Sequence, residues 1–455
     1  MATRTVTRRA VGTRAAPRMP VFPYTRDDVL RLGRALGEGD ELHARRIAAW
    51  DVFESIPMPT LQDEAWRRTD LSALPASDAV LRPIDATPVE PSLLQPLVEE
   101  AQPALMVVQP GVATRLEGAE RVRSQGVVFV DWATAVRRHA ERLEPFLGRL
   151  VPPSDGKFAA LAAALAQDGV FVYVPAGVKV ADPLHSVLWA PAGAGGHFSR
   201  VLVVVDRGAE LTYVHEAASP TVDGAAVHAG TVELFVGEDA RLTFVELQNW
   251  GEHVWNLTHE RAQVDRDGRL DWIFGAVGSR VTKNFTTLDL RGQGAEGRMS
   301  GFYFTDGVQH LDHDTQQNHW ARHTTSDLLF KGALVDRSRS VWQGMIYVAP
   351  GAQKADGYQA NRNLLLSPQA RADSIPGLEI LADDVRCTHG ATVGQLEQEP
   401  IFYLMTRGLS RAEAERMVVD GFFAPVLERI PFEPVRDRFR AMIDAKMPGA
   451  RAAAG

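Results

Sequence analysis

The chain has 455 residues, 45% of them hydrophobic, and a formal net charge of −8 with acids and bases mixed along its length. This composition supports a sizeable core and about two to four domains, and it gives no sign of a nucleic-acid-binding protein. A single cysteine excludes a disulfide framework and an iron–sulfur or zinc centre held by thiolates of this chain alone, and it fits a reducing, cytoplasmic location. No segment approaches the roughly 18 apolar residues of a membrane span.

The N-terminal third of the chain is predicted to be mainly helical. Residues 1–20 are rich in arginine and poor in acids, somewhat like an organelle transit peptide, but we interpret them as a disordered basic tail. Residues 21–168 form the predicted N-terminal helical domain. Its first helical segment, residues 25–56, is broken near residues 37–40 and ended by prolines.

From residue 169 the chain changes to short β-branched runs separated by Gly and Asp turns. The run 209–213 aligns with the run 240–244 and again with the run 268–272. A repeat of about 30 residues, made of short strands, is typical of stacked coils that cannot bury their apolar faces alone. The sequence therefore predicts a mainly β protein with a right-handed parallel β-helix core over residues 169–393. A β-sandwich of hairpins is the alternative, although it need not keep so constant a period.

Beyond the β-helix the pattern becomes helical again, which defines a C-terminal helical domain over residues 394–455. Ser410 is a good N-cap, and Glu413 at the third position after it completes a capping box. A helix over residues 411–423 is expected after it, and a last helix near 435–443. The α-helical ends therefore flank the β-helix on both sides.

The densest group of potential metal ligands consists of His310, His313, His319 and His323. With two aspartates beside them, these histidines could build a transition-metal site of a stand-alone β-helix or cupin-like metalloenzyme. We interpret the segment instead as a longer, solvated turn, because the interval from Arg298 to Arg339 is clearly longer than the period of about 30 residues that the repeat predicts. The sequence contains no P-loop, nucleophile elbow or HExxH zinc motif.

A second candidate site surrounds the only cysteine, in the run ADDVRCTHGATVG. Cys387 and His389 are two positions apart, so on a strand both side chains lie on one face. Metal chemistry at this pair requires further ligands from another chain. A buried cysteine beside a surface histidine, with no ligand role, is the plainer interpretation.

This run, the run IFYLMTRGLS (401–410) that follows it, and four others resemble the SufD/SufB family of iron–sulfur cluster assembly proteins. The four others are DEAWRRTDL (63–71), QHLDHDTQQNHW (309–320), TTSDLLFKGALVD (324–336) and VWQGMIYVAPGAQKADGYQANRNLLLSPQARADSIPGLEI (341–380). The sequence HGAT at 389–392 resembles SufD, whereas SufB members typically carry HEAT. SufB members also use an upstream cysteine, which this chain lacks. The resemblance therefore favours SufD over SufB.

The resemblance implies a non-catalytic scaffold with a β-helix between helical domains. It implies no permanently bound cofactor, but a transient iron–sulfur cluster shared with a SufB-like subunit, to which His389 first and Cys387 second would contribute. It further implies that a SufC-like ATPase docks on the C-terminal helices. The sequence leaves open whether the chain forms a homodimer when SufB is absent. Four residues in that region are candidates for either core or interface: Phe402, Tyr403, Met405 and Phe422. A third possibility is a structural spacer without any ligand.

Overall fold

Two mainly parallel sheets, of ten and nine strands, form the centre of the molecule. The computed structural model describes residues 19–81, 104–190, 195–430 and 433–447. From β4 onward successive strands alternate between the two sheets, and each strand pairs in parallel with the strand two positions away in the chain. This arrangement confirms the predicted parallel β-helix, in which every coil contributes one strand to each sheet. The predicted tail falls mostly on residues 1–18, which lie outside the described residues.

The helices of the described residues have the following bounds: α1 Arg26–Leu36, α2 Asp40–Ser55, α3 Glu120–Ser124, α4 Trp132–Arg138, α5 Ala140–Leu143, α6 Lys157–Leu165, α7 Gln398–Thr406, α8 Arg411–Leu427 and α9 Glu433–Lys446. The strands are β1 Ala104–Val108, β2 Arg115–Glu117, β3 Val128–Asp131, β4 Asp168–Val174, β5 Leu184–Trp189, β6 Gly195–Val205, β7 Glu210–Ala218, β8 Ala226–Val236, β9 Arg241–Asn249, β10 Val254–Val264, β11 Arg269–Ala276, β12 Val281–Leu290, β13 Glu296–Thr305, β14 His310–His319, β15 Thr325–Leu334, β16 Arg339–Val348, β17 Asp356–Leu365, β18 Arg371–Ile380 and β19 Arg386–Gln395.

The N-terminal helices form as their sequence predicts and pack against the sheet that contains β6 and β8. Thr25 caps α1 in a capping box with Asp28, and Gly37 ends the helix in the left-handed conformation that favours glycine (φ 72°). Helix α6 is buried along almost its whole length between α2 and the sheet. Strands β1 to β3 also lie within residues 21–168, and they were not predicted from the sequence. β1 pairs with β5 in the ten-stranded sheet, and β3 pairs with β4 in the nine-stranded sheet.

Side chains of equivalent positions stack in rows inside the β-helix. One row in the ten-stranded sheet runs through Leu184, Tyr213, Phe244, Trp272, Met299, Leu328, Gln359 and His389. Its first six members belong to the buried apolar core. The aligned runs near residues 211, 242 and 270 are therefore neighbours in space, as the repeat predicts. Stacking on both sides buries each apolar side chain, which a single coil could not do.

The C-terminal helices fold back along the outer face of the ten-stranded sheet. Phe423 of α8 lies 6.0 Å from Phe302 of β13 between ring centroids, and the Arg438 guanidinium of α9 forms two hydrogen bonds with Glu216 of β7. The capping box of Ser410 and Glu413 opens α8 as predicted. Because α8 and α9 pack on the side of the β-helix, they leave its last coil uncovered. No helix in the described part of the chain is long and apolar enough to cross a membrane.

Candidate functional site at the open end of the β-helix

The last coil, formed by β18 and β19, has no strand on its outer edge among the described residues. Both strands therefore present backbone N–H and C=O groups without ladder partners, a template for another chain. Leu378 and Ile380 of β18 continue the rows of the buried Ile346 and Val348, yet they are 37% and 38% exposed. Val393 of β19 is 45% exposed. The end of the apolar interior is thus open to solvent.

His389 and Cys387 lie on the interior-facing side of this open coil. His389 is in register with the fully buried Gln359, and Cys387 is in register with Gly357. The two side chains therefore share one face, as their spacing predicts. His389 is exposed and, within the described residues, makes no hydrogen bond or ion pair. Its imidazole is free to meet a ligand or a partner at the end of the helix.

Cys387 is half-buried beside the apolar cluster that includes Ile346 and Val348. Burial raises the pKa of its thiol, a backbone hydrogen bond with Gly357 partly offsets that rise, and the charge of Asp356 adds to it. A methyl group added at Gly357 would lie 3.3 Å from Cys387 Sγ and 3.2 Å from His319 Nε2. Glycine thus allows the thiol to pack close to the preceding coil. The Cys387 thiol is therefore protonated at neutral pH, and it needs a partner or a metal to become a thiolate.

The interpretation of residues 310–323 as a longer, solvated turn is wrong for residues 310–319. His310–His319 is strand β14, central in the nine-stranded sheet between β12 and β16. The apparent insertion arose because Arg298 lies in β13 of one sheet and Arg339 in β16 of the other. Within the nine-stranded sheet Arg339 pairs directly with His310, so the period of the repeat is kept.

The four histidines of this segment point to different surroundings. His310 Nε2 lies 2.9 Å from Thr69 Oγ1 on the outer face of the sheet. Inside the helix, His313 stacks on Tyr303 with 5.4 Å between centroids, and His319 contacts the hydroxyls of Thr324 and Ser326 at 2.7 and 2.9 Å. Burial lowers the pKa of each of these three imidazoles to about 4.

The fourth, His323, is an exposed turn residue with a positive φ of 57°. Among the described residues, no group of three or more His, Cys, Asp or Glu side chains is placed to hold a metal ion. The four histidines therefore have separate surroundings and do not form one ligand set. This geometry gives no support to the metalloenzyme alternative.

A buried ion pair behind β14 was not predicted from the sequence. Lys283 Nζ lies 3.0 Å from Asp312 Oδ1, and both side chains are fully buried. The two atoms are not aligned for a hydrogen bond, so the contact is an ion pair. Thr69 donates to the other carboxylate oxygen at 2.5 Å, and Trp66 packs on Phe285. The run 63–71 thus docks on the outer face of β12 and β14. A lysine inside a strand of alternating buried residues was the only sequence signal for this pair.

The structure separates the four residues of the C-terminal domain that the sequence left undecided. On α7, Phe402, Tyr403 and Met405 are 70%, 56% and 41% exposed. Phe422 of α8 is half-buried, and the Lys331 ammonium lies 4.7 Å from its ring centroid. The three residues of α7 therefore form an exposed apolar patch, and Phe422 belongs to the core. Patches of this kind, rimmed by polar residues, are typical of protein interaction sites.

Two models of known protein families together match almost all of the described chain. The model of the SUF system FeS cluster assembly, SufBD core domain, matches residues 188–422, and that of the SufBD protein N-terminal region matches residues 36–185. An iron–sulfur cluster assembly SufBD family protein of Staphylococcus saprophyticus is 31% identical over 317 residues, covering 69% of this chain and 68% of the relative. The iron–sulfur cluster assembly protein SufB of Bacillus subtilis is 32% identical with the same coverage. The chain belongs to the SufBD family of iron–sulfur cluster assembly proteins.

Proposed function

We propose that this chain is a SufD-like scaffold subunit that shares a nascent iron–sulfur cluster with a SufB-like partner. The observation that carries the proposal is the uncapped last coil, which presents His389 and Cys387 beside exposed apolar side chains and unpaired strand edges. A relative named SufB is as similar as the others, so overall identity does not separate the two subfamilies. The HGAT run and the missing upstream cysteine favour SufD.

Ligand number supports a shared and transient cluster. An iron–sulfur cluster requires about four strong ligands, usually thiolates, and the open end offers one imidazole and one thiol. Imidazole is a suitable ligand for iron, and the other ligands would come from the partner subunit. In this proposal the chain has no catalytic activity of its own, holds no permanent cofactor and works in the reducing cytoplasm, where its single thiol stays reduced.

The open end is the proposed contact with the SufB-like subunit. A carboxylate at Leu378 would place a charge where the apolar interior meets the partner, and burying it there is costly. We expect Leu378→Glu to lose most SufB-like partner in co-purification, while Val308→Glu, at an exposed apolar turn residue, retains it. Thermal melting of both variants serves as the folding control. Full retention of the partner by Leu378→Glu would contradict this interface. The same surface is where a homodimer would form in the absence of SufB.

The exposed patch on α7 is the proposed docking site of a SufC-like ATPase. Phe402→Glu is expected to reduce co-purification of SufC at least tenfold, because a large apolar contact is replaced by a charge. Leu61→Glu, an equally simple change in the N-terminal region, should bind as the wild type does. Deleting all residues from 396 onward is a poorer test, since it also uncovers Phe302 and Phe304 under α8. Unchanged SufC binding by Phe402→Glu would remove α7 from the docking site.

A further inference from the structure

A cavity of about 360 Å³ lies between α2, α4 and α6 and the outer face of β6. Its walls are mostly apolar and include Leu42, Val52, Val136 and Leu147. This volume is in the range of small-molecule binding sites, which are typically apolar with a few converging polar groups. The cavity lies in the N-terminal region, away from the open end of the β-helix.

Arg200 supplies an unusual charge to this cavity. The residue is 8% exposed and lines the cavity, and its Nε donates to Thr231 Oγ1 at 3.3 Å. Its two terminal amino groups have no hydrogen-bond partner among the residues that the structure describes. Glu233 acts on Arg200 most strongly of all the charged groups, but its carboxylate oxygens accept hydrogen bonds from the backbone amides of residues 148, 150 and 151. A buried guanidinium with free donors is costly unless an anion meets it.

Two neighbouring groups make clear which donors are free. Trp132 also lines the cavity and is 2% exposed, but its unpartnered indole N–H is enclosed by protein atoms and does not open into the cavity. Arg46, the other buried arginine of the wall, is fully engaged by the Glu38 carboxylate and by the carbonyl oxygens of Ala164 and Ala166. Arg46 therefore fixes the helices. The Arg200 guanidinium carbon lies 5.7 Å from the centroid of the Trp132 ring, and its terminal amino groups are left to bind a ligand.

We propose that this cavity binds a small organic monoanion: a carboxylate with an apolar tail. The planar guanidinium of Arg200 matches a carboxylate in bidentate geometry. The tail would lie along the apolar walls near Leu42 and Val136. A monoanion suits the single unengaged cation better than a dianion, because Glu38 and Glu233 would repel a second negative charge. This site is independent of the proposed scaffold function.

Calorimetric titration of the full chain with octanoate tests the site, and octanol of the same chain length is the neutral control. We expect one octanoate per chain and at least tenfold weaker binding of octanol. Arg200→Met should weaken octanoate about ten- to a hundredfold while leaving octanol unchanged, because only the charged hydrogen bonds are lost. Equal binding of octanoate and octanol, no octanoate binding at millimolar concentration, or unchanged octanoate binding by Arg200→Met would each overturn the proposal.

A second variant keeps the test decisive if Arg200→Met does not fold. Ala163 lines the cavity and is 6% exposed, so Ala163→Leu fills the space and leaves Arg200 in place. The expected result is loss of octanoate binding. Wild-type affinity in Ala163→Leu would place the octanoate elsewhere and contradict the assignment.

Discussion

Strands β14 and β19 both carry histidines, but the two strands occupy opposite situations in the same β-helix. β14 has a strand on each side; its His313 and His319 are buried, and its His310 is partly buried against Thr69. β19 has a neighbour on one side only, and His389 is exposed at its open face. Position in the stack, and not the number of histidines, therefore decides which imidazole can reach another molecule. The denser histidine cluster is structural, and the lone histidine is available for function.

The largest expected effect belongs to the buried pair behind β14. Asp312→Ala removes the carboxylate nearest to the buried Lys283 ammonium and leaves only Asp314, at 4.0 Å. Because the buried charge then lacks a close partner, the free energy of unfolding should fall by about 3 kcal/mol. Glu296→Gln breaks an exposed ion pair with Arg269 and should change it by about 0.5 kcal/mol or less. Urea unfolding followed by circular dichroism measures both. Equal, small decreases in the free energy of unfolding of the two variants would show that the buried pair of Lys283 and Asp312 does not stabilise the fold.

The buried histidines of β14 should also make stability depend on pH. The folded pKa of His319 is about 4, below the value of about 6.5 expected in the unfolded chain. Between these values the unfolded chain binds a proton that the folded chain does not, so stability falls as the pH falls. His319→Gln removes this difference, and the wild type should lose up to about 3 kcal/mol more than the variant between pH 7 and pH 4.

Urea unfolding of both proteins across this pH range measures the effect. The comparison with the variant is needed because buried carboxyl groups act in the opposite direction, for example Glu260, whose pKa is raised to about 7 by burial. Parallel stability curves for wild type and His319→Gln would mean that His319 has the same pKa in the folded and unfolded chains, contrary to the buried, neutral role assigned to it.

Much of the fold could be predicted from the sequence because the periodicity of a β-helix is local. The rows through Leu211, Leu242 and Leu270 repeat with nearly constant spacing, and each coil packs on its neighbours. The same periodicity misled the interpretation of residues 310–323. Successive strands alternate between two sheets, so the interval from Arg298 to Arg339 ran from a strand of one sheet to a strand of the other. Strand β1 gave no such signal because it joins the ten-stranded sheet beside β5, far ahead in the chain.

The candidate site could be predicted only in part. The i, i+2 spacing correctly placed Cys387 and His389 on one face. Whether that face would be covered depends on where the C-terminal helices pack, and the local sequence of α8 and α9 does not contain that information. Their attachment to distant strands, as in the contact of Arg438 with Glu216, leaves the last coil open. Long-range contacts of this kind also determined that Phe422 is core and Phe402 is exposed.

Among these substitutions, His389→Ala is expected to change stability little and cluster formation most. His389→Ala removes an exposed imidazole without a partner in the described structure, so the free energy of unfolding should change by about 1 kcal/mol or less. Cys387→Ala should affect cluster formation less than His389→Ala, because the thiol packs against the apolar cluster beside Ile346. Thermal melting of the two variants separates any loss of fold from loss of a ligand.

The most direct test of the scaffold role of the open end is the iron and acid-labile sulfide content of the complex after anaerobic co-expression with SufB-like and SufC-like subunits. With His389→Ala, we expect normal assembly of the three subunits and a clear reduction of iron and sulfide per complex. His323→Ala, at an exposed histidine in a turn, is the matched control and should retain wild-type content. Wild-type iron and sulfide in the His389→Ala complex would contradict the assignment of His389 to the shared cluster.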